Sequence, residues 1–465
     1  MKQQKKSFGV LVLAAGKGTR MCSKTPKVLH TMLEEPILYY PLKAAQSAGF
    51  SESAVVVGFG GEAVSSWLES EFPKSEIIWQ REQKGTAHAA KLAQRWWSSF
   101  DNVMILAGDA PLVTPETISL FAARHEEEKN ACSFLSFGLD DPTGYGRVIR
   151  GRSGVSVVEH KDATEEQRAI KEVNSGMYIF DSEALASVID KISPRNAQGE
   201  YYLPDALSLI EEEGGSVDAI KSDAPDEFLG VNDQLQLAKA ASVMRDRIVK
   251  SLMLNNGMHC MDPRSVWIGP KVKVGRDVTI HPSVQLWGDT VVEDGAFIGS
   301  FTVLKNSTVR ANANLKGSVR LNDSTVGERA SAGPFAFMRE HAELLVNAHV
   351  GRFVEIKKSK VGKDSKVPHL SYIGDAEIGE NTNIGAGTIT CNYDGEKKNT
   401  TKIGRDCFVG SDTMFVAPVT VGDDVSTAAG SVITQDIPDG ALGVARARQT
   451  NIEGWSRRHR HKRNK

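Results

Sequence analysis

Two groups of residues in this 465-residue chain have types and spacings that could do chemistry. The first is Leu13-Ala14-Ala15-Gly16-Lys17-Gly18-Thr19-Arg20, directly after an apolar run. Two glycines let the backbone approach a phosphate group, and the flanking amides can donate to it. Lys17 and Arg20 add cationic donors, and Pro26-Lys27 brings another close behind. The loop is neither a Walker loop nor a dinucleotide fingerprint, because GxxxxGKS/T and GxGxxG both fail here. Gly108-Asp109 ends a later apolar run. That carboxylate reads either as a metal ligand at a strand end or as a helix N-cap ahead of Pro111. The second group lies far downstream. His369 and Tyr372 fall in KVPHLSYIGD, and Asn392, Tyr393 and Lys398 in GAGTITCNYDGEKKNTTKIG. Histidine is the side chain suited to taking a proton near neutral pH. The lysines around it read equally as ordinary surface charge.

The elements that must position these residues follow two different periods. Up to about residue 235, apolar runs alternate with longer mixed segments. The predicted strands are Phe8 to Ala15, Ser53 to Gly58, Glu76 to Trp79, Asn102 to Asp109 and Ser133 to Phe137. Such alternation predicts an α/β sandwich with a mainly parallel sheet, whose ligands sit at the carboxyl ends of the strands. Asp233 to about Ser251 has helical spacing and no Pro or Gly, which predicts a long connecting helix.

From about residue 265 the period becomes six. Val274, Ile280, Leu286, Val292, Ile298 and Leu304 form one series. Val326, Ala332, Met338, Leu344, Val350 and Ile356 form a second, and Ile403, Val409, Phe415, Val421, Thr427 and Ile433 a third. No helix or simple strand has this period. It predicts a parallel β-helix in which each side of a triangular coil is one repeat and the aliphatic residue points to the axis. Breaks at 305–325, 357–402 and near 434 predict altered turns or inserted loops. A β-helix can be an inert assembly module. The polar residues in the breaks are what a scaffold would not need.

Composition narrows the function classes. Hydrophobic residues make up 40% and charged residues 25%, an ordinary globular balance. The formal net charge of -2 argues against nucleic-acid binding by bulk electrostatics. No apolar run approaches the roughly 20 residues of a membrane span. The basic and then apolar N-terminus reads as a first buried strand rather than a signal peptide, since the run is short and ends in Gly-Lys-Gly-Thr-Arg. Five scattered cysteines without a CxxC pair suggest neither a zinc site nor a disulfide framework, and fit a reducing cytoplasm. The tail RRHRHKRNK from Arg457 reads as a solvated terminus, with contact to an acidic phosphate ligand or partner as the alternative.

LAAGKGTRM followed by PKVL resembles the signature of sugar-1-phosphate nucleotidyltransferases. QREQKGTAHA, with Gln80, Gln83, Gly85 and Thr86, is similar to their nucleobase-binding segment, and LAGDAPL to the segment carrying their metal-binding Asp. TGYGR, VEHKDAT, EVNSGMYIF, AQGEYYLPD and GVNDQLQL continue in order, as do PHLSYIGD, NIGAGT and CNYDG downstream. On this series the chain is identified as a member of the bacterial bifunctional uridylyltransferase and acetyltransferase family of UDP-N-acetylglucosamine synthesis.

The resemblance implies an α/β nucleotidyltransferase with a Rossmann-like mixed sheet at 1–235, a helical linker at 236–256 and a left-handed β-helix N-acetyltransferase at 257–465. It implies that Leu13, Ala14, Ala15, Gly16, Lys27, Gln80, Gly85, Thr86, Ala107 and Gly108 contact the uridine nucleotide, with Arg20 and Lys27 acting on its phosphates. Ala107 stands where a Tyr is often found, which leaves only its backbone for the contact. Gly146, Glu159 and Asn174 would hold the N-acetylglucosamine part, and Asp109 and Asn232 a Mg²⁺ ion. In the second half His369 would be the general base. Arg339, Lys357, Tyr372, Asn383 and Lys398 would bind glucosamine 1-phosphate, and Asn392, Tyr393, Ser411, Ala429 and Arg446 acetyl-CoA. N-acetylglucosamine 1-phosphate and UTP would be the other substrates, in a cytoplasmic homotrimer with acetyl sites between subunits. Phe337-Met338-Arg339-Glu340-His341 departs from a more basic, Pro-Gly-containing stretch of the family, and Ser426 to Gly430 from a more regular Ile-Gly-Ala-Gly.

Overall fold

The computed structural model describes residues 7–151 and 154–460; the last five residues of the basic tail lie outside them. The chain divides into two compact units, 1–244 and 245–465.

The first unit is built on a nine-stranded sheet. Its strands are β1 (Phe8–Ala14), β4 (Ser53–Val57), β5 (Glu76–Trp79), β6 (Asn102–Ala107), β7 (Cys132–Gly138), β8 (Arg147–Gly151), β9 (Gly154–Val158), β10 (Glu172–Asp181) and β11 (Val217–Ser222); β2 (Thr31–Met32) and β3 (Glu35–Pro36) form a separate small hairpin. The order is β11-β7-β10-β6-β1-β4-β5, with β8 and β9 reached from β10. β1 lies parallel to β4 and β6, whereas β10 runs antiparallel between β6 and β7. The sheet is therefore mixed. β1 is apolar along its length because both faces are covered by helices, and Val10, Leu11 and Val12 are fully buried. The apolar N-terminal run is thus the central strand of this sheet.

The second unit is a three-sided parallel β-helix, with sheets of eleven, ten and nine short strands. Every apolar residue of the three six-residue series is buried in one continuous core, and Thr427 is buried as well. The helix Gln234–Asn256 runs five residues past Ser251, where the apolar spacing placed its end, and its Ile248, Leu252 and Met253 pack on that core. The register explains the breaks. Leu286 pairs with Leu304, an 18-residue coil, but Leu304 pairs with Leu321 and Val309 with Val326, both 17-residue coils. The 305–325 break is one residue lost at each of two corners, between Leu304 and Val309 and between Leu321 and Val326, not a loop. Ile378 pairs with Ile403, so the 357–402 break holds an insertion of seven residues beyond an 18-residue coil. Corners carry left-handed residues, among them Phe301, Phe335, Phe353 and Leu370, which alone makes room for such tight turns.

Candidate active sites

In the first unit the carboxyl ends of β1, β5 and β6 open into a cleft of about 490 Å³. Leu13, Ala14, Ala15, Gly16, Lys27, Gln80, Gly85, Thr86, Ala107, Asp109, Glu159 and Asn174 all line it. Nothing stands within 4 Å of where a Gly16 Cβ would lie, so the backbone there faces open cleft. Gly85 has φ 108°, and a Cβ on it would lie 2.4 Å from the Tyr201 carbonyl oxygen. Only glycine fits that position, and Thr86 can then accept from the Leu203 amide at 3.0 Å. Gln80 is buried, and its amide donates to the Gly85 carbonyl at 3.1 Å. The turn is fastened at both ends.

The far wall is made by β10. Its pairing with β7 shifts register between Asn174 and Tyr178, a bulge that re-aims the side chains. The Asn174 amide donates to the Gly146 carbonyl at 2.9 Å, and a Cβ on Gly146 would sit 3.2 Å from a Glu159 carboxylate oxygen. These three residues therefore meet. Burial raises the pKa of the Glu159 carboxyl, and the charges of Asp162, Asp205 and Glu200 raise it further.

Asp109 and Asn232 converge on the Lys27 ammonium, which contacts the Asp109 carboxylate and lies 3.2 Å from Asn232 Oδ1. The N-cap alternative for Asp109 falls away. The helix Pro115–Glu128 is capped by Thr114, whose hydroxyl accepts from the Thr117 amide. One carboxylate and one amide oxygen around a cation suit Mg²⁺, which takes few protein oxygens and keeps positions for waters and substrate phosphates. Arg20 stands exposed in the turn Thr19–Met21, outside the cleft lining. Gln83, Gly176, Tyr178, Glu200 and Pro204 also line the cleft. The motifs QREQKG, EVNSGMYIF and AQGEYYLPD contain them, but motif spacing does not say which side chain turns inward.

On the β-helix the register stacks Arg339 directly on Lys357 in successive coils. Like charges so placed repel, and carboxylates supply the compensation. Arg339 Nε donates to Glu355 at 2.8 Å, its Nη2 reaches the same carboxylate oxygen at 2.8 Å, and its Nη1 contacts Glu340. Lys357, with only 2% of its side chain exposed, lies 3.1 Å from Asp375 and 3.3 Å from Glu340. Asn392 donates to the same Asp375 oxygen at 2.5 Å and sits 3.4 Å from the Tyr372 hydroxyl. Burial pulls against the Lys357 ammonium, but Asp375 and Glu340 outweigh it and hold its pKa above the lysine range. The neighbouring Lys357 charge pushes Lys398 down. Burial would raise Asp375, yet Asn392 and Lys357 hold it below the usual carboxylate range. Sequence motifs give the carboxylates of this cluster no role; the coil register brings Glu355 to Arg339 and Asp375 to Lys357.

The remaining residues are dispersed in one chain. His369 ends the strand Lys366–His369, exposed, on the neighbouring sheet that also carries Asn383. Tyr393 and Lys398 bracket the inserted loop and form its closing bridge. Ser411 and Ala429 occupy adjacent coil corners, tied by the Gly430 amide bond to the Ser411 carbonyl at 2.8 Å, and Arg446 is exposed beyond the last strand. At the departure near Ser426, Thr427 points to the axis with its hydroxyl bonded to the Gly410 amide at 3.0 Å, which satisfies a polar group in an apolar core.

Residues 9–229 match the nucleotidyl transferase family, and residues 400–435 the bacterial transferase hexapeptide family of six repeats. Full-length relatives are named bifunctional protein GlmU. That of Heliobacterium modesticaldum is 45% identical, over 97% of this chain and 98% of its own length. Those of Streptomyces coelicolor and an Exiguobacterium species are each 44% identical, covering 97% and 96% of this chain and 94% and 99% of their own. A nucleotidyltransferase and a hexapeptide acyltransferase in one chain, matched end to end at this identity, place the protein in the family of bifunctional GlmU enzymes.

Proposed function

We propose that the cleft of the first unit is the uridylyl-transfer site and that the charged corner of the β-helix is the acceptor end of the acetyl-transfer site. The enzyme acetylates glucosamine 1-phosphate with acetyl-CoA, then transfers UMP from UTP to N-acetylglucosamine 1-phosphate and releases pyrophosphate. The observation that carries the reading is the convergence of Lys27, Asp109 and Asn232 at the strand ends beside the glycine turn.

In the cleft the open backbone at Gly16 and the Lys17 and Lys27 ammonium groups bind the triphosphate. Gln80 and Gly85 frame the base. Glu159 and Asn174 hold the amino sugar. A phosphate oxygen of the sugar attacks the α-phosphorus, a new P–O bond forms, and the bond to pyrophosphate breaks. Mg²⁺, held by Asp109 and Asn232, would neutralise charge on the α-phosphate and the leaving group. On the β-helix, Arg339 and Lys357 bind the acceptor phosphate and His369 takes the proton of the attacking amine. The amine displaces the coenzyme thiolate, which accepts a proton in turn. The Asn383 face and the Arg339 face are separate in one chain, so sites completed between three copies fit the dispersion. A monomer in analytical ultracentrifugation would overturn shared sites. The free cysteines among the described residues suit a cytoplasmic enzyme.

The test is a coupled assay. His369→Ala should cut CoA release by roughly 10²–10⁴-fold and spare pyrophosphate release from supplied N-acetylglucosamine 1-phosphate. Asp109→Ala should do the reverse, by about 10²-fold or more. Loss of both activities in each variant would reject two independent sites.

A further inference from the structure

Glu340 follows Arg339 at a coil corner, and its carboxylate turns back onto the cations of the cluster. It reaches back to contact Arg339 and lies 3.3 Å from the Lys357 ammonium. Both are the cations assigned to the acceptor phosphate, so the inference rests on that reading. Glu340 is in the left-handed region at φ 53°, followed by His341 at φ 62°, and this tight corner folds the side chain over the cations. Three carboxylates serve the cluster. Asp375, 8% exposed, is fixed by Asn392 and Lys357, and Glu355 is held along the strand by Arg339. Glu340, 49% exposed, is the one that bridges both cations and can swing to solvent.

We infer that Glu340 is an internal stand-in for the acceptor's phosphate: it occupies the Arg339–Lys357 pair in the free enzyme and must be displaced for glucosamine 1-phosphate to bind. It is a specificity-determining residue. It keeps two stacked cations compensated when the site is empty, and it sets a threshold that weakly charged anions do not pass. A phosphate dianion offers more charge and more acceptor oxygens than the carboxylate it replaces. Carboxylates and chloride offer no such advantage. Removing Glu340 therefore tightens binding of the phosphorylated acceptor and lets other anions in.

The experiment compares the full-length protein with Glu340→Gln and Arg339→Gln in the acetyl-transfer reaction. Half-exposed ion pairs are modest, so Glu340→Gln should lower KM for glucosamine 1-phosphate about two- to fivefold at unchanged kcat. Inorganic phosphate should inhibit that variant at correspondingly lower concentration, and acetate, weak against the parent, should become a competitive inhibitor. Arg339→Gln should raise the same KM. An unchanged or raised KM in Glu340→Gln, with Arg339→Gln raising it, overturns the stand-in role and leaves the phosphate grip standing. If Arg339→Gln leaves KM unchanged, the phosphate grip itself is misplaced and the inference falls with it. A melting temperature for Glu340→Gln equal to the parent separates lost competition from a loosened corner. Should Glu340→Gln fail to fold, Glu340→Asp, whose carboxylate is too short to bridge both cations, carries the same expectation.

Discussion

The two units solve the same problem, holding cations beside carboxylates, in opposite ways. In the α/β unit the strands end together, so loops from distant parts of the chain enclose a cleft, and Lys27 with 12% of its side chain exposed meets Asp109 with 26%. In the β-helix no strand ends meet. Cations are laid out along a face at coil spacing, and Lys357 with Asp375 is sunk to 2% and 8%. A cleft can leave charges partly wet because its shape defines the site. A flat face must bury charge to fix its position, and burial makes each partner depend on the other.

The sharpest way to break this comparison is to delete one cation from each unit. Lys357→Met should leave Asp375 buried with Asn392 and the more distant Lys358 ammonium, 3.8 Å away, and destabilise the β-helix by up to about 3 kcal/mol. Lys27→Met should cost about 1 kcal/mol or less, because its carboxylate partner is open to water. Denaturant unfolding of both variants checks this. Equal losses would mean that burial does not distinguish the two ion pairs.

Much of this arrangement was legible in the sequence, for reasons that differ between the units. The six-residue series states the coil directly, because every side of the triangle demands an aliphatic residue at the axis. The 17-residue coils were not legible, since Leu304, Val309, Leu315 and Leu321 interrupt a period of six without announcing that a corner has shortened. In the first unit the glycine turn and Asp109 followed from motif order. The antiparallel β10 did not follow from the apolar pattern, which carries no direction and by itself predicts a mainly parallel sheet; only the family resemblance implied a mixed one. That strand supplies Asn174 and Tyr178 to the cleft. Glu340 was visible only as a departure. Its contact with Lys357, one coil away, required the register.

The smaller effect concerns pH, and here the units should respond with opposite sign. Glu159 and Asp205 line or adjoin the cleft, and burial first, then neighbouring acids, raises both carboxyls. Folding thus favours their protonated forms. Their contribution to stability is present below the ordinary carboxylate range, about pH 4, and is lost as pH rises through the raised values. Asp375 is the reverse case, held down by Asn392 and Lys357 against its burial. Its contribution is present above that range and is lost as pH falls through the lowered value. Single variants isolate each group from the many other acids of its unit. The stability difference between Glu159→Gln and the parent should shift in favour of the variant as pH rises from about 4 to 7. The parent's advantage over Asp375→Asn should hold across that interval and shrink only on further acidification. Thermal unfolding at a series of pH values reads both differences. A Glu159→Gln difference that is flat with pH, or an Asp375→Asn difference that grows on acidification, would show that a wet cleft and a sunken face impose the same constraint on their carboxylates.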